Sequence, residues 1–388
     1  MIFQLIFWLS TLALLHTYVI YPFFVRILAL RMNDNDIIFE LNDELPEISI
    51  IMAVHNEEKI IEKKIESVFK SGYPLEKLNF YIGSDASDDS TDQIIKKLAT
   101  LFPSIKFEPF QERVGKARII NKLADSSKDE VLIFTDAHAI FEKDSIINLV
   151  KHFKNPEIRV VGGRMQNSKE ILGNIAILEL GYFEIEYKVK HAESRLWGCM
   201  MGAFGSFFAI RRNFWFPVPA NFFGDDFYIS IKAIEKGGKA IFEPNAVVSE
   251  NVPGSMNEEF KRKSRIATGN FQNLRVLYRI LFSQRLGLAF SFFSHKVLRW
   301  FGPVFIILGM TSLSLIFYKN LTYTILFIIM LLSLIAIIID FFLKKIQIHI
   351  VLLRFISHFF YMNLALLNGM FRYIKGVKSN VWEPTKRN

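Results

Sequence analysis

Where the apolar residues lie constrains this chain more than how many there are. Met1 to Leu30 is almost unbroken apolar sequence, with Arg26 its first formal charge, and from Phe301 onward Ile, Leu and Phe dominate again. Between these ends, residues 47–275 have the mixed texture of a water-soluble domain. The opening run lacks the basic start and the small-residue cleavage site of a secretory signal, so a retained membrane helix over 1–30 is expected. Phe301–Tyr318 and Leu321–Phe342 each approach the ~20 apolar residues that cross hydrocarbon. A third stretch, Ile350–Phe371, is interrupted by Arg354, His358 and Asn363. Because a charge at the bilayer centre costs about 3 kcal/mol on insertion scales, this stretch is expected in the interface or against protein. The expected organisation is a membrane helix (1–30), a soluble domain (47–275), an interfacial helical segment (276–300), a membrane region (301–371) and a basic tail (372–388).

The net charge of +9 does not point to nucleic acid. Its cations flank the apolar stretches: Arg26 and Arg31, Lys296 and Arg299, Lys344 and Lys345, then Arg372, Lys375 and Lys378. That distribution follows the positive-inside rule and makes anionic membrane lipids the expected partners. Cys199 is the only cysteine, which excludes an internal disulfide framework and CxxC zinc sites.

Met32–Glu47 is polar and acidic, with Pro46 near its end, and reads as a linker. Strand-like and helix-like segments then alternate. Ile48–Val54, Asn79–Gly83 and Val131–Phe134 have the apolar character of buried strands. Glu57–Lys70, Ser90–Thr100 and Lys143–Phe153 have helical spacing. Such alternation predicts a mainly parallel sheet, and ligands bind such sheets beyond the carboxyl ends of the strands. Polar clusters follow all three strands: His55-Asn56-Glu57-Glu58, then Ser84 through Asp92, then Thr135-Asp136-Ala137-His138. Each alone could be caps and turns. Three at successive strand ends would converge on one edge.

No glycine-rich phosphate loop follows these strands, so a bound nucleotide diphosphate would need a divalent cation. Mg²⁺ and Mn²⁺ prefer carboxylate and phosphate oxygens, and Mn²⁺ accepts imidazole. Asp136 and His138 flank one small residue and can face the same cleft. Lys116, after Gly115, could set a cation near the diphosphate or simply open a helix. Asp225-Asp226 precede another helical pattern, where they could be ordinary helix-start carboxylates or supply a general base. Lys261, Arg262, Lys263 and Arg265, within Phe260–Leu274, form either a solvated basic face or a clamp on a departing diphosphate.

Taken in order, these motifs resemble glycosyltransferase family 2, in the membrane-bound branch that includes polysaccharide synthases, over roughly residues 47–300. The resemblance implies a Rossmann-like α/β domain of the GT-A type, facing the cytosol of a multi-pass membrane protein. It also implies inverting transfer from a UDP-sugar to a glycan or lipid-linked acceptor. Ala53, His55, Asn56 and Glu57 correspond to the nucleotide-contacting turn, Asp85 to a carboxylate on the base, and Lys116 to a lysine near the donor. Asp136-Ala137-His138 occupies the metal motif, with His as its last member. Glu193–Arg212 resembles the acceptor-side segment. Asp226 corresponds to the catalytic base and Asp225 to its neighbour, while Arg262 and Arg265 fall where processive members carry Gln-x-x-Arg-Trp. Ile266 replaces the tryptophan of that motif, so one or a few added sugars are expected rather than a long polymer, with Trp197 as a substitute acceptor platform. A processive synthase, a non-catalytic nucleotide-sugar-binding protein and a transporter with a regulatory domain are the rival readings. UDP release separates the catalytic readings from the others.

Overall fold

The computed structural model describes the chain except residues 168–173, 251–255, 347, 349, 378–380 and 382–388. Lys378 and nearly all of the basic tail after it therefore lie outside the described residues. The sheet is built from β1 (Ile48–Val54), β2 (Leu78–Asp85), β3 (Ile105–Phe110), β4 (Val131–Thr135), β5 (Ile140–Phe141), β6 (Ile158–Asn167), β7 (Phe207–Arg211) and β8 (Lys239–Glu250), in the order β3-β2-β1-β4-β7-β6-β8-β5.

Helices α1 (Ile2–Leu15) and α2 (Tyr21–Leu28) precede the sheet, joined by a π-helical turn at His16–Ile20. Helices α3 (Ile61–Phe69), α4 (Thr91–Leu101), α5 (Lys116–Ser126) and α6 (Ser145–Val150) connect its first strands. Helices α7 (Asn174–Trp197), α8 (Asp225–Glu235) and α9 (Met256–Leu277) serve its second half. The chain ends in α10 (Leu286–Ser291), a second π-helical turn at Phe292–Val297, α11 (Leu298–Trp300), α12 (Gly302–Ile316), α13 (Leu321–Lys345) and α14 (Val351–Ile374).

The strands are apolar on both sides because both faces of the sheet are covered. Ile48, Ile50, Met52 and Val54 of β1 pack with α3, α4 and α6 side chains. Ile51 and Ala53 face Ile119, Ile120 and Leu123 of α5 on the other side. At Gly83 a Cβ would lie 2.3 Å from Ile119 Cγ2, so glycine is what lets α5 approach β2.

The first half agrees with the expected parallel pairing: β1 runs parallel to β2 and β4, and β2 to β3. The second half keeps one parallel pair, β6 with β8, and adds antiparallel ones. β7 is antiparallel to both β4 and β6, so the sheet is mixed. The reason lies in the loop after α7. Cys199 bridges Ala240 near the start of β8, whereas Phe207 pairs with Thr135 at the end of β4. The loop thus climbs the full height of the sheet, and β7 has to run back down. Chain order also places β2 and β3 on one side of β1 and β4 on the other. The crevice between β1 and β4 is therefore a topological switch point, where α/β sheets bind ligands.

Among the described residues, four helical stretches are long and apolar enough to cross a membrane: Ile2–Arg31, Gly302–Lys319, Leu321–Lys345 and Val351–Ile374. The charges that interrupt the last one face protein. Arg354 Nε lies 3.0 Å from Asp340 Oδ1 of α13, and Asn363 is buried, donating to the Phe359 carbonyl at 2.9 Å.

Candidate active site

The first two strand-end clusters are sewn to each other. Asn56, held at φ 54°, donates from Nδ2 to Asp88 Oδ1 at 2.6 Å and accepts from Asp88 N at 3.0 Å. Glu57 N donates to Thr91 Oγ1 at 2.8 Å, and Glu58 N to Asp89 Oδ2 at 3.1 Å. The helix expected from Glu57 begins only at Ile61 for this reason: residues 57–60 form the turn that meets the second cluster.

Asp85 is fully buried, and this carboxylate organises the loop before α5. It accepts from Val114 N at 2.6 Å and Gly115 N at 3.2 Å, and pairs with Arg113 Nε at 3.2 Å. Arg113 Nη1 in turn lies 2.7 Å from His55 Nε2, which brings the first strand turn to the same loop. Ala53 sits buried at the carboxyl end of β1 beneath them.

The third cluster completes the edge. His138 Nε2 is 2.9 Å from Glu57 Oε2, which joins the β4 turn to the β1 turn across the switch point. Lys116, the first residue of α5, bridges Asp136 Oδ1 at 2.9 Å and Asp225 Oδ2 at 3.3 Å. Burial alone would lower the Lys116 pKa, but Asp136, Asp225 and Asp226 outweigh it and hold the ammonium above its ordinary value.

Asp225 and Asp226 open α8 behind Gly224, whose φ of 70° turns the chain into the helix. A helix start favours carboxylate anions. Even so, Asp226 has its pKa pushed up to about 6, first by burial and then by Asp225, against the pull of Lys116 and the Phe227 amide. A Cβ on Gly205 would lie 3.0 Å from Asp226 Oδ2, closer than ordinary van der Waals contact, so glycine gives that oxygen room.

Helix α9 closes the other side. Gly269 presses on the backbone of Phe223, and Asn273 Nδ2 donates to the Gly224 carbonyl at 3.1 Å. Arg265 stands within the field of Asp136 and Asp225. Arg262 points elsewhere: its fork closes on the buried carboxylate of Glu259, at 2.8 and 3.0 Å. The structure therefore gathers Glu57, Lys116, Asp136, His138, Asp225, Asp226 and Arg265, and leaves Arg262 one helical turn behind.

Trp197 does not face this cleft. It packs on Gly287 and edge-on against Phe290 of α10, at 6.0 Å between ring centroids. Trp300 stands closer to the cleft, 5.4 Å from Phe227, but is buried.

Asp136 and His138 offer one hard oxygen and one imidazole nitrogen. Among the described residues no three His, Cys, Asp or Glu side chains converge to hold a metal unaided. The pair therefore suits a cation whose remaining ligands come from a bound diphosphate, the mode Mg²⁺ commonly uses.

Lys64 was not foreseen. Fully buried on α3, it donates to Thr135 Oγ1 at 2.8 Å and to the Ala139 carbonyl, bracketing the Asp136–His138 turn from below. Its one sequence signal is a lysine on the otherwise apolar stripe Ile61, Ile65 and Val68.

The sequence model described as "Glycosyl transferase family 2" matches residues 49–215. A poly-beta-1,6-N-acetyl-D-glucosamine synthase of Staphylococcus aureus is 27% identical over 274 residues, 68% of this chain and 63% of that protein. The protein of the same name from Staphylococcus epidermidis is 25% identical over 316 residues, 79% of this chain and 73% of its own. Among solved structures, a mannosyltransferase from Pyrobaculum calidifontis, in complex with GDP-Man and Mn²⁺, superposes with a TM-score of 0.71. That superposition covers 94% of this chain and 99% of that one at 20% identity, and so shows a shared fold.

Proposed function

The chain carries a glycosyl transferase family 2 domain of GT-A fold, and from its site we propose a membrane-anchored, inverting glycosyltransferase of cell-envelope polysaccharide synthesis. The observation that carries this reading is Asp226. It is a carboxylate raised to about 6, opposite a glycine that leaves one oxygen open, across from the Asp136–Lys116 edge. A base with that affinity for protons is matched to a sugar hydroxyl near neutral pH.

The donor of this reading is a UDP-sugar, seated in the crevice between β1 and β4. Its nucleotide lies along Ala53–Glu57 and the loop that Asp85 organises, and its diphosphate faces Asp136 and Lys116. UDP-N-acetylglucosamine is the first candidate, on the names of the staphylococcal relatives. In the reaction, Asp226 takes the proton of the acceptor hydroxyl as that oxygen bonds to the anomeric carbon. The bond from that carbon to the diphosphate breaks with inversion, and UDP leaves with the electron pair. Lys116 and Arg265 offset the charge that develops on the leaving group. A Mg²⁺ or Mn²⁺ ion held by Asp136 and His138 would supply further neutralisation of the diphosphate, as Mn²⁺ is bound in the solved mannosyltransferase.

The packing of α14 supports a topology. Asn257, Ser264 and Thr268 of α9 bond to Tyr361, Ala365 and Gly369 of α14, so the two helices run side by side in the same direction. Helix α9 is part of the catalytic cleft, so only the first ten or so residues of α14 are left for lipid. At 1.5 Å per residue they span about 15 Å, half a bilayer core. We therefore read α14 as interfacial and three stretches as crossing, Ile2–Arg31, α12 and α13. This puts Arg31, Lys344, Lys345 and Arg372 on the cytosolic side with the catalytic domain, as the positive-inside rule asks.

The test is UDP release by the purified full chain against a panel of nucleotide sugars, with and without a glycan acceptor. Release from one donor, stimulated by acceptor and by divalent cation, is expected. Donor binding without turnover would leave only the non-catalytic reading.

A further inference from the structure

Behind the cleft lies a cluster of buried charge to which the reaction above assigns no part. Helix α7 carries Glu186, Lys190 and Glu193 on one face, and all three are buried. Buried ionised groups are costly unless paired, and here the pairing reaches three separate parts of the chain.

Glu193 is the junction. Its Oε1 accepts from the Tyr21 hydroxyl of α2 at 2.8 Å and lies 2.6 Å from His295 Nδ1 in the second π-helical turn. Its Oε2 accepts from Met201 N, in the loop that climbs to the cleft, at 3.0 Å. His295 continues to Glu186 at 3.0 Å, where Lys296 and Arg299 also close. Burial would raise the pKa of Glu186, but His295, Lys296 and Arg299 together hold it well below the usual carboxylate range.

Lys190, one turn before Glu193, donates to the Gly202 carbonyl and lies over the Phe204 ring at 4.0 Å. Ala203 N then donates to Ser230 Oγ, which donates to the carbonyl of Asp226 at 2.7 Å, and Gly205 abuts the Asp226 carboxylate. The loop facing the open oxygen of Asp226 is thus fastened at Met201 and Gly202 to side chains of α7. Those side chains are fastened in turn to the membrane-side helices.

The two π-helical turns meet at the same place. His16 Nε2 of the first lies 2.9 Å from Ser294 Oγ of the second, and Tyr21 and His295 follow directly. π-turns are rare and concentrate where a helix has to present a side chain off its regular register.

We propose that Glu193 and Lys190 are positioning residues that hold the loop 200–205 against Asp226. Tyr21 and His295 tie that hold to the membrane helices, so that capture of the acceptor, rather than binding of the donor, depends on how the first helix is seated.

The inference rests on the glycosyl-transfer reading, and its test separates the two. The full chain in lipid nanodiscs, with UDP-N-acetylglucosamine and a short β-1,6-linked N-acetylglucosamine oligomer, is compared with Tyr21→Phe and Glu193→Gln. Tyr21→Phe removes one hydroxyl and keeps the ring, which guards against a folding defect. Expected are an acceptor KM raised fivefold or more, a matching fall in the ratio of transfer to donor hydrolysis, and a UDP Kd within twofold of wild type. Amide hydrogen exchange at 200–205 should quicken in both variants. Unchanged exchange and KM in both overturns the proposal, and so does a parallel loss of UDP affinity, which would mark a merely structural role. A wild-type chain that turns over no donor refutes the functional reading, while the exchange measurement still decides whether the tie exists.

Discussion

The two halves of the cleft are built by different means. On the proposed donor side the candidate residues follow β1, β2 and β4 directly, and they are held by one another's turns: Asn56 by Asp88, Glu57 by Thr91 and His138, Asp136 by Lys116. On the proposed acceptor side, Met201 and Gly202 are held by α7 and Gly224 by α9, while α7 is tied to α2 and α9 packs along α14. The donor half is a self-contained turn cluster on a rigid sheet. The acceptor half is a surface assembled from parts far apart in sequence. A lesion in the first should affect nucleotide and metal, and a lesion in the second should affect sugar transfer.

Asp226→Asn should give the largest effect, because it removes the proposed base and leaves the shape. Turnover should fall by ~10²-fold or more, the scale of general-base catalysis. UDP binding by calorimetry should survive, since the donor half is untouched. Turnover within a few-fold of wild type would remove Asp226 from the role.

Asp136→Ala tests the donor half directly. Divalent-cation-dependent UDP binding should disappear, while Lys116 keeps Asp225 as a partner and α8 keeps its place. His138→Asp, which exchanges imidazole for a harder oxygen ligand, should retain binding and shift preference from Mn²⁺ toward Mg²⁺. Unchanged metal dependence in both variants would make these residues structural.

The contrast also explains what could be read before the structure was known. The donor half was legible because local rules produce it: an apolar run, a polar cluster after it, and a sheet that aligns the ends. Ile48–Val54 was recognisable as a strand because both its faces are buried, and Asp225-Asp226 as a helix start because carboxylates gather there. β7 was not foreseen, because its direction depends on a loop that spans the sheet rather than on its own residues. Lys64, Lys190 and Glu193 escaped for a related reason. A charged residue on a helix reads as solvent-facing, and only the packed fold reveals that its partners are a carbonyl of Ala139, a carbonyl of Gly202 and the hydroxyl of Tyr21. Trp197 misled in the opposite sense: it is close in sequence to the acceptor loop, yet lies on the far side of α7.

Acidity offers a milder test. As the proposed base, the Asp226 carboxyl would work only when ionised, and its pKa is raised from 3.8 to about 6 by burial and by Asp225. The kcat/KM for transfer should therefore fall tenfold per pH unit below about 6 and level off above it. Lys116→Met removes the cation that opposes this rise, so the acid limb should move to higher pH. A wild-type limb near pH 4 would mean that the carboxylate is not shifted.

Gly369→Leu probes the acceptor half from its membrane side. Even a Cβ there would lie 2.3 Å from that of Ala267 and 2.7 Å from the Ser264 carbonyl, so α14 has to move off α9. Overpacking of this kind costs about 1–3 kcal/mol and should lower the unfolding midpoint in detergent. Because α9 also braces Gly224 and carries Arg265, transfer should slow a few-fold while UDP affinity holds. Equal losses of both would break the division between the halves.

The smallest effect concerns product length. Polymer-building relatives offer a tryptophan ring after the second arginine position of the α9 motif, and a flat π face grips a sugar through stacking. Here Ile266 occupies that position, and it is partly exposed at 38%. Trp197 does not replace it, since its ring is spent on Gly287 and Phe290, and Trp300 is buried against Phe227. The leaving-group charge can still be met, because Arg265 stands within the field of Asp136 and Asp225. Chemistry without a grip on the product predicts early release, so mass spectrometry should find one or a few added sugars per acceptor. Ile266→Trp should lengthen that distribution by a few residues and leave the rate of UDP release within about twofold, as expected of a stacking contact worth about 1 kcal/mol. Long homopolymer ladders from the wild-type chain would show instead that the grip lies elsewhere in the acceptor half, with Phe204, beside Gly205, the first place to look.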